Sequence, residues 1–259
     1  MQKIPTLDLK RNYARIRDEI ADAVSGVLES QAFILGPEVS AFEEECSAYL
    51  DGAQAIGCAS GTDALVLAMM SLDIGPGDEV ITTPYSFFAT VSCITRLGAT
   101  PVFADVDPET YNIDLQQVLD RLTPKTKVVL PVHLFGQMAP LEAISGELAK
   151  RGVSIVEDAA QAFGSWRKIE GAIVRAGTYG ALGCYSFFPT KNLGGYGDGG
   201  MIATRDGRLA ERVRKLRVHG AGKTYFHDEV GLNSRLDSLQ AAVLRVKLRH
   251  LEEWNEERR

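Results

Sequence analysis

Short runs of β-branched and apolar residues alternate with helical patterns through most of this 259-residue chain. Parallel strands need a crossover connection, usually a helix, so the alternation is typical of a mostly parallel sheet with helices on both faces. The predicted strands are Ala55–Cys58, Glu79–Thr83, Pro101–Ala104, Lys127–Val132, Val153–Glu157, Ala181–Ser186 and Gly200–Thr204. The predicted helices include Tyr13–Glu29, Val39–Leu50, Thr62–Leu72, Phe87–Leu97, Ala139–Lys150 and Arg208–Val218. The predicted fold class is therefore α/β.

The composition excludes several classes of protein. With 45% hydrophobic residues the chain can bury a large core, and a formal charge of -6 without a basic block disfavours nucleic acid as a partner. The first residues lack an apolar signal segment, and no apolar run reaches the roughly 20 residues of a membrane span. The four cysteines and four histidines show no spacing typical of metal ligands. We therefore expect a cytoplasmic globular protein without a membrane segment or a metal site.

A carboxylate and a lysine each follow a predicted strand. Asp158 comes directly after the apolar run Val153-Ser-Ile-Val156 and Glu157, and Lys191 ends the stretch Ser186-Phe-Phe-Pro-Thr-Lys191. Ligands of α/β folds bind outside the carboxyl ends of the strands. Pyridoxal phosphate (PLP) is held as a Schiff base to a lysine, and a buried Asp keeps its ring nitrogen protonated, so that the ring can take up electrons. The pair predicts a PLP site in which Lys191 and Asp158 are the catalytic residues.

Both residues also have simpler interpretations. A lone lysine is usually a solvated surface charge, and an Asp after a strand often caps the next helix. The flanking Phe-Phe-Pro-Thr and the glycine-rich run after Lys191 favour the catalytic interpretation. Glu157 is expected to be structural.

Five stretches of the sequence, taken in order, resemble the motif set of the DegT/DnrJ/EryC1/StrS nucleotide-sugar aminotransferases, which are fold type I PLP enzymes. They are Ala59-Ser-Gly-Thr-Asp-Ala-Leu65, Pro84-Tyr-Ser-Phe-Phe-Ala-Thr90, Val156-Glu-Asp-Ala-Ala-Gln161, Ser186-Phe-Phe-Pro-Thr-Lys191 and Gly231-Leu-Asn-Ser-Arg-Leu-Asp237. The resemblance runs from about Ile4 to the last residue. It implies the large domain of a PLP-dependent transferase of the aspartate aminotransferase type.

The predicted phosphate site is the start of a helix. Ser60, Gly61 and Thr62 open the helix that follows the strand ending at Cys58, where backbone N–H groups and the helix dipole favour an anion. Taken alone, this is also an ordinary helix start. The resemblance implies that the Ser186 hydroxyl adds to the same phosphate site.

Two further cofactor contacts are implied by the resemblance. Phe87 aligns with the aromatic residue that stacks on the PLP ring, and Gln161 contacts the ring hydroxyl. Phe87 also suits a core position, because Tyr85 and Phe88 crowd the same short segment.

The resemblance also implies a site shared between two subunits. It places Asn233 at the PLP phosphate of the neighbouring subunit, and Arg235 at a carboxylate of the amino donor or of the substrate. We therefore expect a homodimer. Without the neighbouring motifs, these residues would be read as a loop Asn and a surface Arg.

The function implied is transfer of an amino group to a keto carbon of a nucleotide-linked sugar. L-glutamate is the expected donor, which converts PLP to its pyridoxamine form and leaves as 2-oxoglutarate. Three stretches, at 131–137, 217–220 and 230–242, most resemble members that aminate C3 of UDP-3-oxo sugars, such as 3-oxo-N-acetylglucosaminuronate. These members supply amino sugars for surface polysaccharide.

Three alternative functions differ in their chemistry. A PLP-dependent sugar dehydratase of the same family carries histidine in place of the lysine, so Lys191 argues against it. A catalytically inactive PLP-binding or regulatory protein is the second alternative. A glycosyltransferase that binds metal through Asp105 and Asp107 is the third, but with Pro108 this short motif is more simply an acidic turn.

The end of the chain predicts a second domain. From Ser234 the sequence has the apolar spacing of a long amphipathic helix. Members of the family continue past this point into a smaller domain. The resemblance therefore predicts a large PLP-binding domain over residues 1–232, and the start of a truncated small domain over residues 233–259.

Overall fold

The computed structural model describes residues 7–223 and 225–258. Its strands are β1 (Gln54–Cys58), β2 (Glu79–Thr82), β3 (Thr100–Phe103), β4 (Thr126–Leu130), β5 (Ser154–Asp158), β6 (Trp166–Ile169), β7 (Ala172–Arg175), β8 (Leu182–Ser186), β9 (Gly200–Thr204), β10 (Ala221–Lys223) and β11 (Phe226–His227). Its helices are α1 (Leu9–Ser30), α2 (Pro37–Tyr49), α3 (Gly61–Ser71), α4 (Phe88–Arg96), α5 (Leu115–Asp120), α6 (Ser145–Lys150), α7 (Gly207–Leu216), α8 (Ser238–Leu248) and α9 (Leu251–Arg258).

A seven-stranded sheet in the order β1-β9-β8-β5-β4-β2-β3 forms the centre of the fold. Strands β8, β5, β4, β2 and β3 are parallel, whereas β9 runs antiparallel to both of its neighbours, β1 and β8. The sequence pattern predicted all seven strands of this sheet, with ends that differ by at most two residues. The prediction of a mostly parallel α/β sheet is confirmed.

Helices cover both faces of the sheet. Successive side chains of a strand point to opposite faces, so Leu182 and Cys184 of β8 pack on one side with α3, α4 and α7. On the other side, Tyr185 of β8 packs with Phe42 of α2 and Leu244 of α8. Burial on both faces explains why these strands read as nearly continuous apolar runs.

The topology brings three chain segments to one edge of the sheet. Strands β5 and β8 are parallel neighbours, with Asp158 paired to Cys184, so their carboxyl ends lie side by side. Helix α3 begins at Gly61, three residues after the end of β1. Side chains that follow β5 and β8 can therefore reach the start of α3.

Helix α1 begins at Leu9, four residues before the predicted Tyr13, and two other predicted helices differ more from the structure. Of Ala139–Lys150, only Ser145–Lys150 is α-helical; a 3₁₀ turn, Leu141–Ala143, precedes it, because Ile144 has φ of -120° and interrupts the helical backbone. The helix predicted from Ser234 begins at Ser238, because the amide of Ser234 bonds to Arg217 and that of Ser238 to Phe33. It also stops at Leu248, so the long C-terminal helix is two helices, α8 and α9.

Short elements of the structure also lack a clear pattern in the sequence. The β6–β7 hairpin, the β10–β11 pair and helix α5 were not predicted. The division of the chain after residue 232 stays a prediction, and residues 1–6, 224 and 259 of the two predicted domains lie outside the described residues. None of the described helices combines the length and the apolar character needed to cross a membrane.

Replacement of Gly200 by alanine tests how tightly the sheet abuts α3. A Cβ atom on Gly200 would lie 2.3 Å from the carbonyl carbon and oxygen of Ser60, so the backbones of β9 and of the start of α3 would have to separate. We expect Gly200→Ala to lower the free energy of unfolding by about 1–3 kcal/mol, measured by chemical denaturation, and to weaken PLP binding.

The control for this variant is Gly207→Ala, just beyond the other end of β9. A Cβ there meets its nearest atom, in Gln54, at an ordinary distance of 3.6 Å. We expect its stability and its affinity for PLP to match those of the wild type. Equal behaviour of the two variants would contradict the close contact between β9 and α3.

Candidate active site

A pocket of about 450 Å³ opens at the edge of the sheet where β5, β8 and α3 meet. Seven of the predicted site residues line it: Gly61, Thr62, Phe87, Asp158, Gln161, Ser186 and Lys191. Asn233 and Arg235 do not line it. Residues that are far apart in the sequence thus converge on one pocket, which the resemblance alone could not show.

Asp158, the last residue of β5, lines the pocket and is buried, with 5% of its surface exposed. The hydroxyl of Thr90 donates to its Oδ2 at 2.8 Å, and the amide of Ala160 donates to Oδ1 at 3.2 Å. Because the Thr90 hydroxyl proton is used in this way, the Ser86 hydroxyl donates to the Thr90 oxygen at 2.7 Å. Two neutral donors therefore fix the orientation of the carboxylate.

Burial raises the pKa of the Asp158 carboxyl, and the hydrogen bond from Thr90 is the largest of the effects that oppose this rise. A buried carboxylate without a close positive charge is costly, and a cation beside it removes much of that cost. The electrostatics of the pocket therefore favour a cationic group of a ligand, such as a protonated ring nitrogen.

Lys191 lies in the connection between β8 and β9 and is partly buried. A backbone bond from its amide to the Phe188 carbonyl, at 2.8 Å, closes the turn that carries it. Its amine makes no hydrogen bond within the described part of the chain. Burial lowers the pKa of this amine, and the charge of Asp158 partly opposes the change. More of the amine is therefore neutral, and so nucleophilic, than in a solvated lysine.

The start of α3 has unpaired backbone donors that face the pocket. The hydroxyl of Ser60 caps the helix by accepting from the Asp63 amide at 3.1 Å, and the first intrahelical bond runs from Ala64 to Ser60. The amides of Gly61 and Thr62 precede that bond and remain available to an anion. Ser186 is adjacent, because a Cβ on Gly61 would lie 2.6 Å from the Ser186 Cβ.

The aromatic ring of Phe87 is 76% exposed at the start of α4, where it lines the pocket. This placement differs from the core position that the sequence also allowed. A large apolar face exposed on a pocket suits a planar ring. Gln161 is also exposed and lines the same pocket.

The segment that carries Asn233 and Arg235 lies beside α3 rather than in the pocket. Between them, the buried Ser234 donates through its hydroxyl to Asp63 at 2.7 Å and accepts from the Ala59 amide at 3.2 Å. Asn233 is exposed and Arg235 is partly exposed. Their predicted roles toward a second subunit stay predictions.

Several pocket features were not found from the sequence. Thr90 ends the quoted stretch Pro84-Tyr-Ser-Phe-Phe-Ala-Thr90, but its bond to Asp158 spans 68 residues and has no local signal. Asp198 lines the pocket from within the glycine-rich run after Lys191.

The carboxylate of Asp107, a residue of the predicted acidic turn, is used within that turn, where it accepts from the amides of Glu109 and Thr110. Among the described residues, no group of three or more His, Cys, Asp or Glu side chains is placed to hold a metal.

The sequence model that describes the DegT/DnrJ/EryC1/StrS aminotransferase family matches residues 14–259 of this chain. The chain belongs to this family. The family, the fold class and the aminotransferase class predicted from the sequence are therefore confirmed.

Three relatives are between 45% and 50% identical to the chain. A pleiotropic regulatory protein of Geobacillus stearothermophilus is 50% identical over 99% of this chain and 68% of its own length. A UDP-N-acetyl-3-dehydro-α-D-glucosamine 3-aminotransferase of Acidithiobacillus ferrooxidans is 46% identical over the same shares. A UDP-2-acetamido-2-deoxy-3-oxo-D-glucuronate aminotransferase of Pseudomonas aeruginosa is 45% identical, over 96% of this chain and 68% of its own.

Solved structures are similar over nearly the whole chain. DesV of S. venezuelae, crystallised with a ketimine intermediate, superposes with a TM-score of 0.94 and 44% identity, over 99% of this chain and 68% of its own. NtdA of Bacillus subtilis, crystallised with the cofactor PMP, has a TM-score of 0.89 and 31% identity, over 97% and 57%. These findings confirm the prediction of PLP as the cofactor.

The residues of the pocket fit this cofactor. The start of α3 suits a phosphate, the exposed ring of Phe87 suits a planar ring, Asp158 suits a ring nitrogen that carries a proton, and Lys191 suits an aldehyde. The phosphate, the ring, the ring nitrogen and the aldehyde of PLP thus each have a matching group in the pocket.

Reduction with borohydride tests which lysine reacts with PLP. Burial lowers the pKa of Lys247 to about 8, so the fraction of neutral amine alone would favour reaction at Lys247. The pocket favours reaction at Lys191, which lines it and also has a lowered pKa. After incubation with PLP, reduction and digestion, we expect mass spectrometry to find the pyridoxyl group on the Lys191 peptide and to find none in Lys191→Ala.

The pH dependence of this reaction follows from the lowered pKa of Lys191. The neutral amine is the reactive form, so the rate of labelling should rise with pH, with a midpoint below the ordinary lysine value of 10.5. A label on Lys247, or an undiminished label in Lys191→Ala, would remove Lys191 from this role.

Proposed function

We propose that this protein is a PLP-dependent aminotransferase that moves an amino group from L-glutamate to a keto carbon of a nucleotide-linked sugar. The observation that carries the proposal is that Lys191 and Asp158 line one pocket beside the start of α3. The lysine gives the nucleophile and proton carrier, and the buried carboxylate gives the partner of a ring nitrogen.

When bound, PLP would carry the amino group of the donor and would supply a ring that can take up the electrons of the broken bond. Asp158 keeps a proton on the ring nitrogen, because a buried carboxylate is stabilised by an adjacent positive charge. Thr90 and Ala160 hold that carboxylate in one orientation. Lys191, with its lowered pKa, moves a proton to and from the substrate carbon.

The other pocket residues bind and orient the cofactor. The backbone N–H groups of Gly61 and Thr62 would donate hydrogen bonds to the phosphate, and the Ser186 hydroxyl would be a third donor. Phe87 would cover one face of the ring, and Gln161 would contact the ring hydroxyl. These roles agree with the position of each residue in the pocket lining.

The proposed sugar substrate is a UDP-linked 3-oxo sugar, aminated at C3. The support is the sequence identity of 45–46% to two relatives named for such substrates, over nearly the whole of this chain. The product would be an amino sugar for surface polysaccharide. A soluble nucleotide sugar as substrate agrees with a cytoplasmic location.

A regulatory role is the second candidate, because the relative that is 50% identical is named a pleiotropic regulatory protein. The two functions differ in what glutamate does to the PLP-loaded protein. An aminotransferase releases 2-oxoglutarate in proportion to its sites, whereas an inactive PLP-binding protein releases none.

The Asp158→Asn variant tests the role of the carboxylate in this reaction. A neutral amide of the same shape no longer favours a protonated ring nitrogen, so we expect PLP to remain bound while 2-oxoglutarate release slows by about 100-fold or more. The measurement is single-turnover release of 2-oxoglutarate from glutamate. Wild-type rates in the purified variant would remove Asp158 from this role, and no release by the wild type would contradict the proposed function itself.

We also propose that two copies of the chain share their active sites. Asn233 and Arg235 lie outside the pocket of their own chain, and the Arg235 guanidinium makes no hydrogen bond or ion pair within the described part of the chain. Large aromatic side chains are exposed at and beside the start of α4, including Phe88 at 76% and Tyr85 at 49%. Such exposed apolar surface is typical of an interface.

Mixing two inactive variants tests the shared site. A heterodimer of Lys191→Ala and Asn233→Ala/Arg235→Ala chains has both lesions in one site and an intact second site. After subunit exchange we expect recovery of roughly a quarter of the wild-type activity.

The control is a mixture of Lys191→Ala with Asp158→Ala, in which each substitution inactivates the pocket of its own chain. This mixture should stay inactive. If subunits exchange without recovery in the first mixture, or if the active protein is a monomer, the shared site is wrong.

A further inference from the structure

Glu157 is a fully buried acid that the proposed chemistry does not use. It precedes Asp158 in β5, so its side chain points to the opposite face of the strand. Its Oε1 accepts from the amides of Tyr179 at 2.8 Å and Gly180 at 2.7 Å. Its Oε2 accepts from the Gly177 amide at 2.9 Å and bonds to His133 Nε2 at 2.6 Å. Backbone amides can only donate, so both oxygens of Glu157 act as acceptors.

His133 is the fourth partner of this carboxylate and is also fully buried. The Ala139 amide donates to its Nδ1 at 3.2 Å, so Nδ1 carries a lone pair and Nε2 carries the proton. The imidazole therefore donates to Glu157, and its tautomer is fixed by the backbone on its other side.

The segment that carries His133 also holds the backbone of Asp158. The His133 amide donates to the Asp158 carbonyl at 3.0 Å, and the Asp158 amide donates to the Pro131 carbonyl at 2.9 Å. The next amide, of Ala159, donates to Cys184 of β8 at 2.8 Å. Glu157 thus connects β5 to the loop before β8 and, through His133, to the segment after β4. Both connections lie next to Asp158, the residue that carries the catalytic carboxylate.

We propose that Glu157 and His133 are positioning residues that fix the direction of the Asp158 carboxylate toward the ring nitrogen of PLP. This inference rests on the proposed function. Among the described residues, only Thr90 and Ala160 donate hydrogen bonds to that carboxylate, so its direction also depends on the backbone to which it is attached. Replacing a buried polar pair by apolar residues of similar volume often costs no stability, so the presence of the pair is weak evidence for a stabilising role and agrees with a positioning role. Neither residue lines the pocket.

The test measures the protonation of the ring nitrogen, by the ¹⁵N resonance of labelled PLP bound to the full chain. In the wild type we expect the resonance at its protonated position, with Asp158→Asn as the unprotonated reference. In Glu157→Gln, the side-chain NH₂ group faces backbone N–H donors instead of accepting from them, which disturbs the position of Asp158. We therefore expect the ¹⁵N resonance to shift toward its position in Asp158→Asn. The turnover number should fall by about 10- to 100-fold while KM changes much less.

Two histidine variants separate positioning from general stability. His133→Gln can place an amide N–H near the Nε2 position and keep the bond to Glu157, whereas His133→Asn keeps only the acceptor for Ala139. We expect the Gln variant to retain most of the wild-type resonance position and turnover, and the Asn variant to resemble Glu157→Gln. Tyr179→Phe is the control, because it loses a 2.8 Å bond to Ser145 in the same loop but keeps the amide that binds Glu157.

The outcomes distinguish the inference from the function on which it rests. An unshifted resonance in His133→Asn, or equal turnover in the two histidine variants, would overturn the positioning role, even if Glu157→Gln does not fold. An equal loss in Tyr179→Phe would overturn it as well, because stability alone would then explain the effect. An unshifted resonance in Asp158→Asn would instead contradict the proposed role of Asp158.

Discussion

The burial of one carboxylate, Asp158, at the end of a central strand is the constraint on which the rest of the site depends. Its two direct hydrogen bonds come from neutral groups, and burial raises its pKa. Such a group is stabilised most by a positive charge beside it. A ring that carries a proton would supply such a charge, in addition to the nearby amine of Lys191.

The remaining parts of the site follow from the topology. Parallel strands β5 and β8 end at the same edge, so Asp158 and the segment that leads to Lys191 meet there. The turn from β1 into α3 adds a helix start at that edge, and Gly200 allows β9 to approach it closely. One edge of the sheet thus brings together an acid, an amine and a helix start that suits an anion.

The sequence was sufficient for features with a local signal. Apolar runs predicted all seven strands of the central sheet, and the motifs predicted that Asp158 and Lys191 share one site, where both line the pocket. It failed where a distant contact decides the outcome. The bonds that keep residues 234–237 out of α8 come from segments far away in the chain, and the Thr90 bond to Asp158 spans 68 residues. Glu157 was expected to be structural, but its four partners could not be identified without the fold.

The most direct test of the account follows one nitrogen atom through the two halves of the reaction. The PLP-loaded protein is treated with ¹⁵N-glutamate, freed of small molecules by gel filtration, and then given a UDP-linked 3-oxo sugar or a dTDP-linked keto sugar. The account predicts that mass spectrometry finds ¹⁵N in an amino sugar formed from the UDP-linked substrate, and none when the protein is Lys191→Ala. An unlabelled sugar, after labelled nitrogen has been retained on the wild-type protein, would contradict the proposed transfer to nucleotide sugars. Failure of the protein to retain any label would contradict the aminotransferase assignment.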